Sequence, residues 1–238
     1  MMPVSRYLCI FINVGLVDSN GYAGRLIKTH VITSSSLYEK SEFAKKIRVR
    51  VIGAGGGGAG VNNSMSSGSG GGSGAYAEVL FDANELTNSI IVTVGSAGKS
   101  AVGTRAGDGG ASSFGTYIIC PGGYGGGVSG TTGGAADSLS GGGFGADAPT
   151  IVGGQIILAA KGGRASMGFN FRSTGANGAL GGNGADSVLG SGGSGVISAT
   201  PNERLNASGY GAGGGGNCYL DADGGNGSPG GCIIEEYA

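Results

Sequence analysis

The chain has 238 residues, of which 58 are glycine, 5 are proline and none is tryptophan; 12% are charged and the net charge is −1. So much glycine with so little proline and a slipping phase excludes a collagen-like G-X-Y repeat. The near-neutral charge disfavours a surface built to grip nucleic acid, which needs clustered cations.

Charge is uneven along the chain. Residues 1–52 carry eight Lys/Arg against three Asp/Glu, and residues 53–238 carry six against twelve. The segment Tyr7 to Val17 (YLCIFINVGLV) reads as one apolar strand. It is too short to span a membrane, is broken by Asn13 and lacks a small-residue cleavage site, so it is expected to be kept. A turn at Asp18 to Gly21 and a return through Arg25 to Ile32 suggest a hairpin. Residues 1–46 are accordingly expected to form a basic N-terminal β arm for attachment or oligomerisation, since so small a unit cannot bury an apolar strand alone. Leu8, Ile10, Ile12 and Val14 are its candidate contacts.

Residues 47–238 make the glycine-rich body. Ile47, Val49 and Val51 alternate with Lys46, Arg48 and Arg50, the period-two signature of a half-buried strand. Further strands are expected at Ala75 to Phe81, Ile90 to Val94, Ser113 to Cys120, Gln155 to Ala160 and Gly231 to Tyr237, with one helical turn at most, at Asn84 to Asn88. All but Gly15, Gly21 and Gly24 of the glycines fall from Gly53 onward. Ordering glycine costs more backbone entropy than ordering any other residue, so such a segment folds only if the missing side chains are themselves the packing device. The apolar runs between the glycines argue against a flexible linker.

The device expected is the polyproline II helix, whose three residues per turn give a bare edge when every third residue is glycine. Gly175, Gly178, Gly181 and Gly184 keep that spacing without a break, and Gly68, Gly71, Gly74 and Gly224, Gly227, Gly230 repeat it. The expected fold is mainly β with little or no α-helix: strands in a sandwich-like arrangement combined with a bundle of glycine-rich polyproline II helices.

Motifs for chemistry fail on their surroundings. Gly53, Gly55 and Gly58 spell G-x-G-x-x-G, with Glu78 twenty residues beyond, but Ala59 to Gly74 cannot form the helix whose N-terminus must hold a pyrophosphate. The run Gly95 to Ser100 ends like a P-loop but has Thr93 where the first glycine belongs. Asp221 to Gly227 (DADGGNG) resembles a calcium loop, yet Gly225 and Cys232 stand where ligands are needed. Cys9, Cys120, Cys218 and Cys232 lack the spacing of a metal site and read as buried thiols, with a Cys218 to Cys232 bridge left open. With a single histidine, His30, no triad or histidine metal site assembles, so neither an enzyme nor a cofactor or metal is expected.

In order, VITSSSLYEK, KKIRVRVIGAGGGGAG, GAYAEVLF, IIVTVGSAG, GDGGASSFG, CPGGYGGG, GAGGGG and GSPGGCIIEEY resemble the glycine-rich domain of bacteriophage tail-fibre and tail-tip proteins, from about Val31 to the C-terminus. Ser36, where that family usually has glycine, and Phe43 and Ala44, near which it usually has proline, depart from the pattern. The resemblance implies a virion tail protein, assembled in the host cytoplasm, that binds a host surface glycan or outer-membrane protein. Its implied partners are other tail proteins, in a homo-oligomer such as a trimer or as the cap of a trimeric fibre, with no nucleic acid and no membrane span.

Aromatics and Arg dominate binding surfaces. On the connecting segments, Phe169, Phe171, Arg172, Tyr210, Tyr219, Asp221 and Asp223 are therefore the candidate receptor contacts, although Phe169 and Phe171 read equally well as plugs of the scaffold. Two rivals remain: a self-assembling filament subunit, in which one copy's N-terminal strand completes the next copy's sheet, and an ice-binding or coating protein, which the irregular, bulky connecting segments disfavour.

Overall fold

A computed structural model describes residues 24–62, 66–129, 138–173, 176–196 and 205–238. These residues are mainly β, with no α-helix among them and a 3-10 turn at Ala83–Glu85, where one helical turn is expected. In chain order the strands are β1 (Leu26–Ile32), β2 (Ser36–Glu39), β3 (Lys46–Ile52), β4 (Ala59–Gly60), β5 (Tyr76–Asp82), β6 (Ser89–Thr93), β7 (Ala101–Val102), β8 (Ser112–Phe114) and β9 (Ile118–Cys120). They continue with β10 (Ser138–Ser140), β11 (Thr150–Ile151), β12 (Gln155–Ala160), β13 (Gly168–Ser173), β14 (Ala176–Leu180), β15 (Leu189–Ser191), β16 (Ser208–Tyr210) and β17 (Gly231–Tyr237).

Two five-stranded antiparallel sheets dominate, ordered β1-β17-β3-β5-β12 and β11-β9-β8-β6-β2. One core joins them. Ile47, Val49 and Val51 of β3, Val79 and Phe81 of β5 and Ile234 of β17 cluster with Tyr38, Ile90, Val92, Phe114 and Ile118 of the second sheet. The alternation along β3 is the cause: Ile47, Val49 and Val51 are fully buried, and each such residue contributes about 1.5–3 kcal/mol by leaving water. The other face of β3 carries arginines, and there β5 and β17 supply the counter-charges. Arg48 Nε donates to Glu78 Oε1 at 2.7 Å, and Arg50 Nη2 lies 2.6 Å from Glu235 Oε1.

The glycine segments continue from these strands and pack on one another. From Ile52 the chain runs on through 53–58, where hydrogen bonding follows a strict period of three. Ala54 and Gly57 donate to the carbonyls of Gly110 and Gly107; Gly55 and Gly58 donate to Ser228 and Gly225; Gly56 and Ala59 donate to Gly72 and Ser69. Every third N–H thus addresses the same neighbouring segment, and each of those neighbours runs in the opposite direction. Segments 66–75, 121–127, 211–218 and 223–230 repeat the period of three, with both parallel and antiparallel neighbours. A Cβ at Gly58, Gly71, Gly72, Gly214 or Gly227 would collide with the carbonyl of an adjacent segment. Glycine is required there because backbones touch.

Two expectations are corrected. Ser113 to Cys120 is a hairpin and not one strand: β8 and β9 pair across a turn in which Gly115 takes φ +52, a conformation glycine adopts without strain. The run from Gly175 to Gly184 is not a single rod, because Ala176–Leu180 is strand β14, paired antiparallel to β13 with Gly178 opposite Phe171. Gly181 and Gly184 stand against neighbouring segments, at the Gly216 and Gly213 carbonyls, as does Gly182 at the Ser166 carbonyl, and Gly175 lies outside the described residues. Spacing by three survives in both settings, so it could not tell them apart. The strand within Arg25 to Ile32 pairs with β17, and β2 pairs with β6, so each of the two sheets takes a strand from residues 26–39. The candidate contacts Leu8, Ile10, Ile12 and Val14 lie outside the described residues.

Candidate binding surface

Glycine segments have few side chains to offer, so chemistry gathers where they reverse. Segment 53–58 leads away from the sheets to β4, which pairs in parallel with β7, and Val61 then bridges to Leu220 and Ala222. Cys218 Sγ donates to the carbonyls of Ala179 and Val196 at 3.3 and 3.4 Å. These links bring the loop holding Tyr219, Asp221 and Asp223 beside the β13–β14 hairpin that carries Phe169, Phe171 and Arg172. Six of the seven expected receptor contacts therefore share one end of the molecule.

Within that loop, Asn217 fixes the geometry by donating Nδ2 to the Asp223 carbonyl and accepting from the Tyr219 N–H, both at 2.8 Å. Asp221 takes φ +56 while its N–H donates to the Val61 carbonyl. Aspartate is among the few side chains that tolerate this left-handed conformation. Tyr219 is 39% exposed, enough to present a ring face. Phe169 is half-buried between β10 and β14, opposite Leu139 and Leu180. Tyr210 is placed elsewhere. It ends β16, and its ring lies beside Gly231, where β17 begins.

The fingerprint glycines cannot cradle a phosphate. The N–H groups of Gly53, Gly55 and Gly58 are already given to Ala75, Ser228 and Gly225. No group of three or more metal-ligating side chains occurs among the described residues, Asp221 and Asp223 included. Cys120, Cys218 and Cys232 are free thiols; Cys218 stands at the loop end and Cys232 in the sheet core, so the bridge left open is not made. Burial pushes the Cys120 thiol up to about 12, which leaves it unreactive.

Among the described residues, Glu236 is the acid held wholly inside, and its bonds tie elements together. Glu236 is fully buried and accepts from Tyr38 Oη at 2.6 Å and from the Ser41 N–H at 3.3 Å, tying β17 to the β2 region. Burial, followed by the bond to Glu236, raises the Tyr38 phenol above its ordinary range. His30 lies edge-on to Tyr38 with ring centroids 5.2 Å apart.

A groove of about 720 Å³ on the flank of the glycine array was not anticipated from the sequence. Its floor is glycine from segments 125–127, 141–145 and 162–163, and its rim carries Arg105, Tyr124, Phe144, Asp147, Lys161 and Arg164. The Arg164 guanidinium sits 4.6 Å from the centroid of the Phe144 ring, and that of Arg105 sits 6.0 Å from the Tyr124 ring. Arg105 is also paired with Asp108. Neither Lys161 nor Arg164 has an ion-pair partner among the described residues. A signal did exist: Lys161 and Arg164 lie three apart in an otherwise cation-poor body, but only the fold brings Arg105 to them.

A family model described as a glycine-rich domain matches residues 31–237. No curated protein matches the chain. Among the described residues no helix is long and apolar enough to cross a membrane.

Proposed function

The chain belongs to the glycine-rich domain family, and from that premise we propose that it is a bacteriophage tail-fibre or tail-tip protein whose glycine scaffold carries loops that bind the host cell surface. The observation that carries this reading is the period of three in the hydrogen bonds of 53–58. Three residues per turn with all bonds made between segments is the arrangement of packed polyproline II helices, and we read the glycine segments as such helices and the two sheets as a sandwich. A scaffold of this kind tolerates almost no change within its rods, whereas its reversals accept any sequence that closes the turn. Tyr219, Asp221, Asp223 and the β13–β14 hairpin are the receptor contacts in this reading. The partners are other tail proteins on one side and a surface glycan or outer-membrane protein on the other.

Immunogold labelling of phage particles tests the assignment. Label at fibre tips supports it, and particles without label overturn it. Replacing the exposed side chains of the loop, Tyr219 with Ala and Asp221 and Asp223 with Asn, should abolish binding to host cells without lowering the melting temperature.

One observation favours a second reading, the filament subunit. Strand β12 ends its sheet with an unpaired edge among the described residues, and Ile156, Ile157 and Leu158 are 54%, 51% and 45% exposed. Such an edge is a template for another chain. Negative-stain images of the purified chain decide between the two: filaments formed without any other virion protein favour the subunit.

A further inference from the structure

We propose that the flank groove bounded by Arg105, Tyr124, Phe144, Lys161 and Arg164 is a binding site for an acidic saccharide, an inference that rests on reading the chain as a surface-binding scaffold. Three of the body's six cations line this one groove although the body as a whole is acidic, with twelve carboxylates. Structural salt bridges do not explain them, since Lys161 and Arg164 face no carboxylate partner among the described residues. Asp147 is the single acid on the rim.

The aromatic rings set the class of ligand. Phe144 is 61% exposed and Tyr124 40%, so each offers a flat apolar surface to the groove. A pyranose has the complementary shape: one apolar face of C–H bonds that lies against a ring, and an edge of hydroxyls. A uronate or sulfate substituent then meets Arg164, whose planar guanidinium pairs two oxygens at once, with Lys161 as a second point charge. Stacking Arg164 on Phe144 holds its fork in one orientation and reduces the entropy lost on pairing. The glycine floor lets a sugar ring approach the backbone without a Cβ in the way. A nucleic acid strand would also use rings and cations, but it needs a row of positive charge along its backbone, and here the two unpaired cations share the rim with a carboxylate, Asp147.

Calorimetric titration of the full chain with tetragalacturonate tests the proposal, with a heparin tetrasaccharide as a second acidic probe and maltotetraose, inorganic polyphosphate and oligo(dT) of eight nucleotides as controls. Saturable binding of either acidic saccharide is expected, weakened about tenfold by Arg164→Gln and by Phe144→Ala and strengthened by Asp147→Asn. All three side chains are exposed, so melting temperatures should not move. Equal binding of maltotetraose, polyphosphate or oligo(dT) overturns the assignment, as does an absence of binding by both acidic saccharides or affinities unchanged in the variants. This titration reads the groove directly, while particle labelling reads the parent function, so either can fail without the other.

Discussion

Glycines in this chain are not equivalent, and the neighbours of each decide what a side chain would cost. At Gly71 a Cβ would collide with the Gly56 carbonyl, and backbone held by hydrogen bonds on every side cannot give way. At Gly141 nothing lies within 4 Å of the same position. Gly71→Ala should therefore lower stability by about 1–3 kcal/mol, as an overpacked core site does. Gly141→Ala should be neutral or stabilise by a few tenths of a kcal/mol through the unfolded chain, to about 1 kcal/mol at most. Equal shifts in melting temperature would contradict the packing account. Tyr38 makes a second test. Its hydroxyl donates to the buried Glu236 side chain, so Tyr38→Phe removes a partner from a polar group that water cannot reach. A loss of about 1–3 kcal/mol is expected by chemical denaturation.

Elements with alternating chemistry were legible in the sequence, and elements of glycine were legible only as a class. The strands at Ile47 to Ile52, Ala75 to Phe81, Gln155 to Ala160 and Gly231 to Tyr237 announce themselves because apolar and polar faces or β-branched runs force one register. Ser113 to Cys120 hid its turn because Gly115 resembles every other glycine. Gly175 to Gly184 hid a strand for the same reason: without side chains there is no pattern from which to read a partner. The end loops were named from their bulky residues, but the groove was not, since Arg105, Phe144 and Arg164 come from three distant segments. At the β17-β3-β5 ladder the sequence showed alternating arginines, and the structure adds their acids. Burial pushes Glu78 upward, but the Arg48 and Tyr76 hydrogen bonds outweigh it, so its carboxyl is held below the ordinary value of 4.5. Unfolded, it titrates at that ordinary value. The stabilisation is then complete above it and is lost as pH falls through the lower folded value. Melting temperature followed from roughly pH 6 to roughly pH 3 should drop less steeply in Glu78→Gln than in the parent. Parallel curves would mean that the Arg48 pair contributes nothing, as is common for exposed pairs.

Across the whole molecule, a rigid glycine array joined to a two-sheet core divides the surface into parts that vary at little cost and parts that do not. The array leaves loops at one end and a groove on its flank, and the core leaves an unpaired strand at its side. Strand β12 is the least self-sufficient of these parts. Three consecutive aliphatic side chains, Ile156, Ile157 and Leu158, stand exposed on a strand whose outer edge has no partner among the described residues, a combination that monomers avoid by placing charge on the edge. No charge is present in Gln155–Ala160, and Lys161 lies just beyond it. If copies of the chain associate, as in the filament reading, this edge is the contact expected between them. Light scattering of the purified chain should then report a species larger than the monomer of 22.8 kDa. Ile157→Lys places a charge in the middle of the edge, where like charges from two copies would meet in a partly desolvated contact. The variant should run as a monomer with its melting temperature nearly unchanged, because Ile157 is half-exposed and contributes little to its own sheet. A parent chain that is already monomeric at high concentration, or a variant that still assembles, would assign the contact to another surface.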